Sequence, residues 1–499
     1  MSIPAVLAID QGTTGSTCLV VGEDGRIYGR SYSEFTQHFP KPGWVEHDAT
    51  EIWKVTSQVA REAVASASDA EVRAIGITNQ RETIVLWDRE SLEPVAPAIV
   101  WQDRRTAALC KELRDAGHEH EVRARTGLVL DPYFSGTKVR WLLEHYSGLR
   151  KQADAGQLAM GTIDTWLMAC LTNGETHATD PTNASRTMLY NLSDGAWDEW
   201  ALALLGIPAA ILPEIRPSSG DFGIARGEHL GIEVPIAGVA GDQQAALFGQ
   251  GCWSAGLAKN TYGTGAFLLL HTGSEPVSSR RGLLTTAACD AQGGRAFALE
   301  GSVFIAGAAI QWLRDGLCVL ESAEQSEALA RTLEDNEGVY FVPAFSGLGA
   351  PHWEPEARGT LVGVTRGTSR AHLVRSALES MAYGTAEVLS TMEVDSGVEM
   401  TELRVDGGAA MNDWLMTFQA GLVRVPVRRP PLVETTALGA AGLAGLAQGV
   451  WAAAEDFRLS QGKMDQFDPM MPETEAVRLK QGWARAVRAA TYWARDSSE

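Results

Sequence analysis

The sequence predicts an α/β fold made of two large halves with the same rhythm of elements. Strand-like runs come first, and helix-like and strand-like segments then alternate, the order of a layered α/β architecture. A strand, a Thr/Gly turn and a second strand recur near the middle, in LAKNTYGTGAFLLLHTG (257–273), and helical and strand-like runs follow them again. The length of 499 residues exceeds what one hydrophobic core usually holds, so two large units fit the chain.

The elements follow in order. AVLAID reads as a strand, QGTTGS as a turn, TCLVVG as a second strand, EDG as a turn and RIYGRSY as a third strand. ATEIWKVTSQVAREAVASA (49–67) carries Ile52, Val55, Val59 and Val64 near one helical face, with Thr50 placed to cap its start. VRAIGIT returns to strand. The chain then reads IGITNQRETIVLWD (75–88), two apolar runs joined by Thr-Asn-Gln-Arg-Glu-Thr. Gly and Ser interrupt the helical pattern at Gly251–Gly256, which divides the chain into 1–251 and 252–499. In the second half, helices are expected over 303–317 and 370–392, then a strand, a Gly-Gly turn and a helix over 402–422. TALGAAGLAGLAQGVWAAA (436–454) is mostly Ala and Gly and is broken by Gln448, so it reads as a closely packed buried helix and not as a membrane span. Residues 473–495 form an amphipathic terminal helix with a solvated charged face.

Composition excludes several functions. The apolar fraction is 45% and the charged fraction 21%, as in soluble globular proteins. Acidic residues outnumber basic ones 62 to 42, and a net charge of −20 argues against a nucleic-acid or anionic-membrane surface. The six cysteines include no CxxC pair and the ten histidines no HExxH, which suits free thiols in a reducing compartment and no zinc site. MSIPAVLAID lacks the basic start of a signal peptide, so a cytoplasmic location is expected.

Neither the P-loop pattern GxxxxGK[ST] nor the dinucleotide fingerprint GxGxxG is present. DFGIARG (221–227) imitates a protein-kinase segment, but the companion motifs that give it meaning are missing. DQGTTGST (10–17) remains. Asp10 ends a strand, and Gly12, Thr13, Thr14 and Gly15 make a turn whose N–H and hydroxyl groups can donate to phosphate oxygens. Asp10 is a hard oxygen ligand suited to Mg²⁺, directly or through water. YGTGAF (262–267) and VDGGAAMN (405–412) are two more Gly-rich turns after strands, and three in one chain point to nucleotide binding, although each alone fits a simple turn. A duplicated fold holding a nucleotide between its halves would explain both Thr/Gly hairpins. The helix opening at Asn412 would offer free N–H groups to a nucleotide. Gly307 allows close approach, and Gln311 lies one turn later.

Arg81 and Glu82 suit a small polyol, or else belong to a solvated turn. Arg supplies only donors and Glu only acceptors, whereas a hydroxyl does both. Trp101 and Tyr133 could cover the C–H face of such a molecule, although a Trp is as readily core. Asp242 follows a buried strand in IAGVAGDQQAALFGQG (236–251), either as a helix cap or as a base beside a substrate hydroxyl. A weak base suffices in phosphoryl transfer, because the hydroxyl becomes acidic only as the bond to phosphorus forms.

Together DQGTTGST, KPGWVEHD, ITNQRET, DPYFSGTK, TNASRTMLYN, GDQQAALFGQ, NTYGTGAF, LEGSVFIAGAAIQWLRD, VPAFSGLGAPHW and RVDGGAAMNDWLM resemble the glycerol kinases of the FGGY carbohydrate kinase family, from about Val6 to residue 494. The resemblance implies two ribonuclease-H-like (actin-like ATPase) domains closing on ATP and glycerol from opposite sides of a cleft. It implies that Arg81, Glu82, Tyr133, Asp242 and Gln243 contact glycerol, that Trp101 and Phe267 form the apolar wall, and that Asp242 is the general base. It assigns Thr13, Thr14, Gly15, Thr264, Gly307, Gln311, Gly408 and Asn412 to ATP or ADP, and places Asp10 and Asp242 near Mg²⁺. It also implies a homo-oligomer, dimer or tetramer. Two stretches depart from the family. Thr17 stands where the family carries an Arg that helps hold phosphate, so phosphate is held more weakly or by another basic group. GIARGEHLGIEVP (223–235) is shorter than the fructose-1,6-bisphosphate loop of some relatives and lacks its Gly/Arg pattern. A larger sugar acceptor, or an actin-like ATP-binding module with no acceptor, are the rival readings.

Overall fold

The computed structural model describes residues 2–496. Its first sheet has six strands, centred on Ile3–Gln11. That strand pairs antiparallel with Gly15–Gly22 and parallel with Ala70–Asn79. Ile27–Glu34 extends one side, and Val234–Gly241, parallel to Ala70–Asn79, extends the other. The central strand is apolar at every position from Ala5 to Ile9 because both faces of the sheet are covered. Leu7 and Ile9 face the helix Ala49–Ser66, whereas Val6 and Ala8 face the helix Thr435–Ala447.

The Ala/Gly-rich segment is therefore a closely packed buried helix only as far as Ala447, and it ends at Gln448, before the expected 454. A Cβ added at Gly439 would lie 1.8 Å from the carbonyl oxygen of Ala245, and one at Gly76 would lie 2.1 Å from that of Ala440. No helix among the described residues is long and apolar enough to cross a membrane. The cap of the helix Ala49–Ser66 differs from expectation. Asp48, not Thr50, is the capping residue, and its carboxylate accepts from the backbone N–H groups of Thr50 and Glu51. Either type caps well, but only Asp48 precedes the first helical residue.

The second sheet has seven strands. Leu257–Tyr262 pairs antiparallel with Ala266–Gly273, which pairs antiparallel with Arg295–Val303. On its other side lie the parallel strands Glu402–Gly407 and Val427–Arg429. Both sheets thus share a five-strand pattern, an outer strand, an antiparallel second strand, the first strand and then two strands parallel to it, and the second sheet adds Leu284–Cys289 antiparallel beside Arg295–Val303. The repeated rhythm in the sequence is a repeated topology. The helix Arg370–Ser396 covers one face through Ala377, Met381 and Leu389.

The helix expected over 303–317 is shorter. Val303 ends a strand, paired with Ala266, and the helix covers only Gly307–Gln311 before widening into a π-turn over Trp312–Gly316. β-branched Val303 suits the ladder better than the helix. A small third sheet joins Ile84–Asp88 to Ala98–Ile99, Leu158–Thr162 and Glu46–His47. Thr78 and Asn79 remain in strand, so the link between the first and third sheets is only Gln80–Thr83.

Candidate active site

Three adjacent parallel strands of the first sheet end on one edge. Asp10 pairs with Thr78, Thr78 with Ala240, and Asn79 with Gly241. Register alone therefore gathers Asp10, the Gln80–Thr83 link and Asp242 at the carboxyl ends of the strands, where ligands of open α/β sheets bind.

The link is not a solvated turn. Arg81 is 3% exposed and Glu82 1%. Glu82 adopts a left-handed φ of 62°, a conformation that costs a non-glycine residue about 1–3 kcal/mol and concentrates at functional sites. The hydroxyl of Ser135 donates to its carbonyl at 3.0 Å. Arg81 presents both terminal nitrogens to Glu300, Nη1 at 2.6 Å and Nη2 at 3.0 Å, and its Nε lies 3.0 Å from Oδ1 of Asp242. Arg186 donates from Nε to Glu82 at 2.6 Å and from Nη2 to Glu300 at 3.1 Å. Burial raises the cost of a charged Glu300, but the two guanidiniums outweigh it and hold the carboxyl at about 2. Among the described residues, Arg81 Nε and Arg186 Nη1 are buried donors without a hydrogen-bond acceptor. Unsatisfied donors in a buried ionic cluster suit a ligand rich in hydroxyls.

Asp242 is not a cap. Gly241 holds the capping position of the helix Asp242–Gly249 without a side-chain bond, and Asp242 is the first helical residue. Its Oδ1 accepts from the N–H of Gln243 at 2.7 Å, and 33% of its side chain remains open to the cleft. Burial raises its pKa while Arg81 opposes the rise. Asp10 is pushed up to about 7 by burial and by the charge on Asp242. Two hard oxygen donors in mutual repulsion are a fit for a divalent cation. No cluster of three or more metal-ligating side chains occurs among the described residues, so such a cation would complete its shell with water and phosphate oxygens. Thr17 pairs with Asp10 across the hairpin and brings no positive charge there.

Trp101 and Tyr133 meet edge to face with centroids 5.6 Å apart. The indole of Trp101 donates to Oγ1 of Thr13 at 2.9 Å, tying the aromatic wall to the Gly12–Gly15 hairpin. In that hairpin Thr14 is exposed, and Gly15 is needed for packing because a Cβ there would lie 2.6 Å from the carbonyl of Ser33. Gln243 accepts from Lys259, which also donates to Thr261 at 3.0 Å. Burial pushes the Lys259 amine down to about 8. Phe267 is half-buried. It pairs with Ser302 and Leu269 pairs with Glu300, so Phe267 and Glu300 share one face of the second sheet.

The other expected nucleotide residues lie in the second half of the chain. Thr264 is exposed at a turn closed by Gly263 N–H to Gly265 carbonyl at 2.8 Å, and its own carbonyl accepts from Ala306 and Ala308. Gly307 packs against that turn, where a Cβ would come within 2.6 Å of the carbonyl of Gly263. Tyr262 pairs with Gly407, which sets the Gly408 turn beside it, and Gly408 faces open space. Asn412 caps the helix Asp413–Val423, its Oδ1 accepting from the N–H of Leu415 at 2.9 Å. Gln311 is exposed at the end of its short helix.

Sequence comparison assigns the lineage. The profile for the N-terminal domain of the FGGY family of carbohydrate kinases matches residues 5–249, and that for the C-terminal domain matches 258–448. The chain belongs to the FGGY family of carbohydrate kinases. Glycerol kinase of Deinococcus radiodurans is 55% identical to this FGGY chain over 494 residues, covering 99% of it and 98% of the relative. Glycerol kinase of Petrotoga mobilis is 54% identical, covering 98% of each. The crystal structure of Plasmodium falciparum glycerol kinase with ADP superposes with a TM-score of 0.94 at 35% identity over 98% of both chains. A xylulose kinase from Lactobacillus acidophilus, at 19% identity and a TM-score of 0.87, shares the fold.

Three residues at the centre of this FGGY site carry no role in the sequence reading: Arg186, Lys259 and Glu300. The signal was present in each case as a lone charge in an otherwise apolar or small-residue run, NASRTMLY, GLAKNTY and AFALEGSVF. A charge fully buried in a strand or turn requires a partner.

Proposed function

We propose that this kinase transfers the γ-phosphoryl group of ATP to a terminal hydroxyl of glycerol, producing sn-glycerol 3-phosphate and ADP. The observation that carries the reading is the buried Arg81–Glu82 pair facing Asp242 at the carboxyl ends of three strands. Full-length relatives named glycerol kinases at 54–55% identity support the choice of acceptor. Arg81 donates to the hydroxyls of glycerol and Glu82 accepts from them, with Tyr133 and Gln243 completing the polar contacts and Trp101 and Phe267 covering the carbon face. Asp242 orients the reacting hydroxyl and takes its proton as the oxygen–phosphorus bond forms. A carboxyl whose pKa burial raises is a better base than a solvated one.

Thr13, Thr14 and Gly15 in the hairpin, with Thr264, Gly307, Gln311, Gly408 and Asn412 opposite, hold the nucleotide. Mg²⁺ would be held by Asp10 and Asp242 with the phosphates, and would neutralise the charge that phosphoryl transfer develops. Approach of residues 252–499 to residues 1–251 keeps water, a competing acceptor, away from the phosphate. The same reading includes a homo-oligomer, dimer or tetramer, and a cytoplasmic location, supported by six cysteines that are all unpaired. ADP release measured with and without glycerol, in the presence of Mg²⁺, tests the reading. Turnover should depend on glycerol, and folded protein with equal rates in both arms would overturn it.

A further inference from the structure

The ionic cluster of the acceptor site is built from both halves of the chain. Arg81, Glu82, Arg186 and Asp242 come from the first half, whereas Glu300 sits in the Arg295–Val303 strand of the second sheet. Glu300 accepts three hydrogen bonds, two from Arg81 and one from Arg186. Arg186, in turn, is the group that grips Glu82. We infer that Glu300 and Arg186 are positioning residues that hold Arg81 and Glu82 in their acceptor-binding orientation, so that the glycerol site is complete only when the second half supplies its carboxylate. The inference rests on the acceptor reading above.

The geometry dictates this role. A guanidinium prefers to engage a carboxylate with two parallel bonds. Arg81 has three carboxylates within reach, Glu300, Asp242 and, at 3.7 Å from its Nε, Glu82, and its paired Nη atoms are committed to Glu300. Only Nε is left for Asp242, and it is not hydrogen-bonded. Without the charge on Glu300, Arg81 is free to turn its fork onto Asp242, neutralising the base and withdrawing donors from the acceptor. Arg186 acts on the other member of the pair. Its Nε bond fixes the carboxylate of Glu82, whose backbone is already held left-handed, and its Nη2 ties that carboxylate to the same Glu300. Neither residue touches the nucleotide turns at 12–15, 263–265 or 408–411 in any described contact, so their loss should act on glycerol and not on ATP.

The test compares Glu300→Gln, Glu300→Asp and Arg186→Lys in the full-length enzyme, with both substrates varied and glycerol and ADP binding measured directly by calorimetry. Glu300→Gln should lose about 10²-fold in kcat/KM for glycerol, the scale of an ångström-level misplacement, while ADP affinity stays within about threefold. Glu300→Asp keeps the charge and should recover part of the loss. Arg186→Lys keeps charge but not the fork, and should raise the KM for glycerol more than that for ATP. A purely structural cluster would lower stability and leave both KM values and the rate per folded molecule unchanged, and that outcome overturns the inference. If Glu300→Gln does not fold, the same comparison on Arg186→Lys and Glu300→Asp decides. Absence of glycerol-dependent turnover in the wild type would overturn the function itself, whereas normal wild-type turnover with unchanged variants overturns this inference alone.

Discussion

Asp242 combines three properties that suit a base: it begins a helix, a third of it faces the cleft, and Arg81 approaches it without a formed hydrogen bond. Asp242→Ala should lower kcat by about 10²–10⁴-fold, the range of a lost general base, with nucleotide affinity changed only modestly. Steady-state kinetics beside direct ADP binding separate the two effects, and near-wild-type turnover would remove Asp242 from that role. At this scale the sequence was informative where a residue's meaning lies in its own type. Adjacent Arg and Glu between apolar runs, or Asp after a buried strand, could be singled out one at a time. Glu300 and Arg186 could not. Glu300 lies 219 positions from Arg81 and 114 from Arg186, and nothing local announces a partner that distant.

The helix Ile163–Leu171 is buried along its whole length and carries Asp164 inside it. Burial, with the charge of Asp180, pushes the Asp164 carboxyl up to about 7, although hydroxyls of Thr162 and Thr179 donate to it. An unfolded Asp titrates near about 3.9. The folded state therefore holds a proton that the unfolded chain gives up, so this stabilising contribution is complete below about pH 4 and is lost as pH rises through about 7. Asp164→Asn removes the titration. Its Tm should gain on the wild type between pH 4 and 8, by up to about 4 kcal/mol of relative stability, and parallel Tm curves would contradict the assignment. The helix at 49–66, with its periodic apolar face, was legible in the sequence, and the helix expected over 370–392 is present over 370–396. Boundaries were less so. The run SVFIAGAAIQW fits strand or helix by apolar content, and only the pairing of Val303 with Ala266 decides where one ends.

The Thr435–Ala447 helix, from the second half of the chain, lies against the first sheet at backbone distance through small residues. Gly439→Ala should destabilise the whole molecule by at least about 1–3 kcal/mol, because the added methyl meets backbone atoms of Ala245 that no rotamer change can move. Denaturant unfolding measures it, and an unchanged midpoint would show that the helix is free to shift. Glycerol at a hundredfold excess over its Kd should add about 2.7 kcal/mol to the wild-type stability, seen as a rise in Tm that other small alcohols do not reproduce. The doubled rhythm of strands and Thr/Gly turns was visible along the chain. Which element covers which sheet was not, since the composition of the Ala/Gly helix says that it packs closely and not against what.

That helix sets a timetable for synthesis. The first sheet has its last parallel strand at Gly241, yet the cover for one of its apolar faces begins only at Thr435. At about 5–20 residues per second, a ribosome needs about 10–40 s to make the intervening stretch. For that interval a greasy surface of Val6, Ala8 and Leu19 emerges without its lid, so the nascent chain depends on chaperones or on delayed collapse until translation is nearly over.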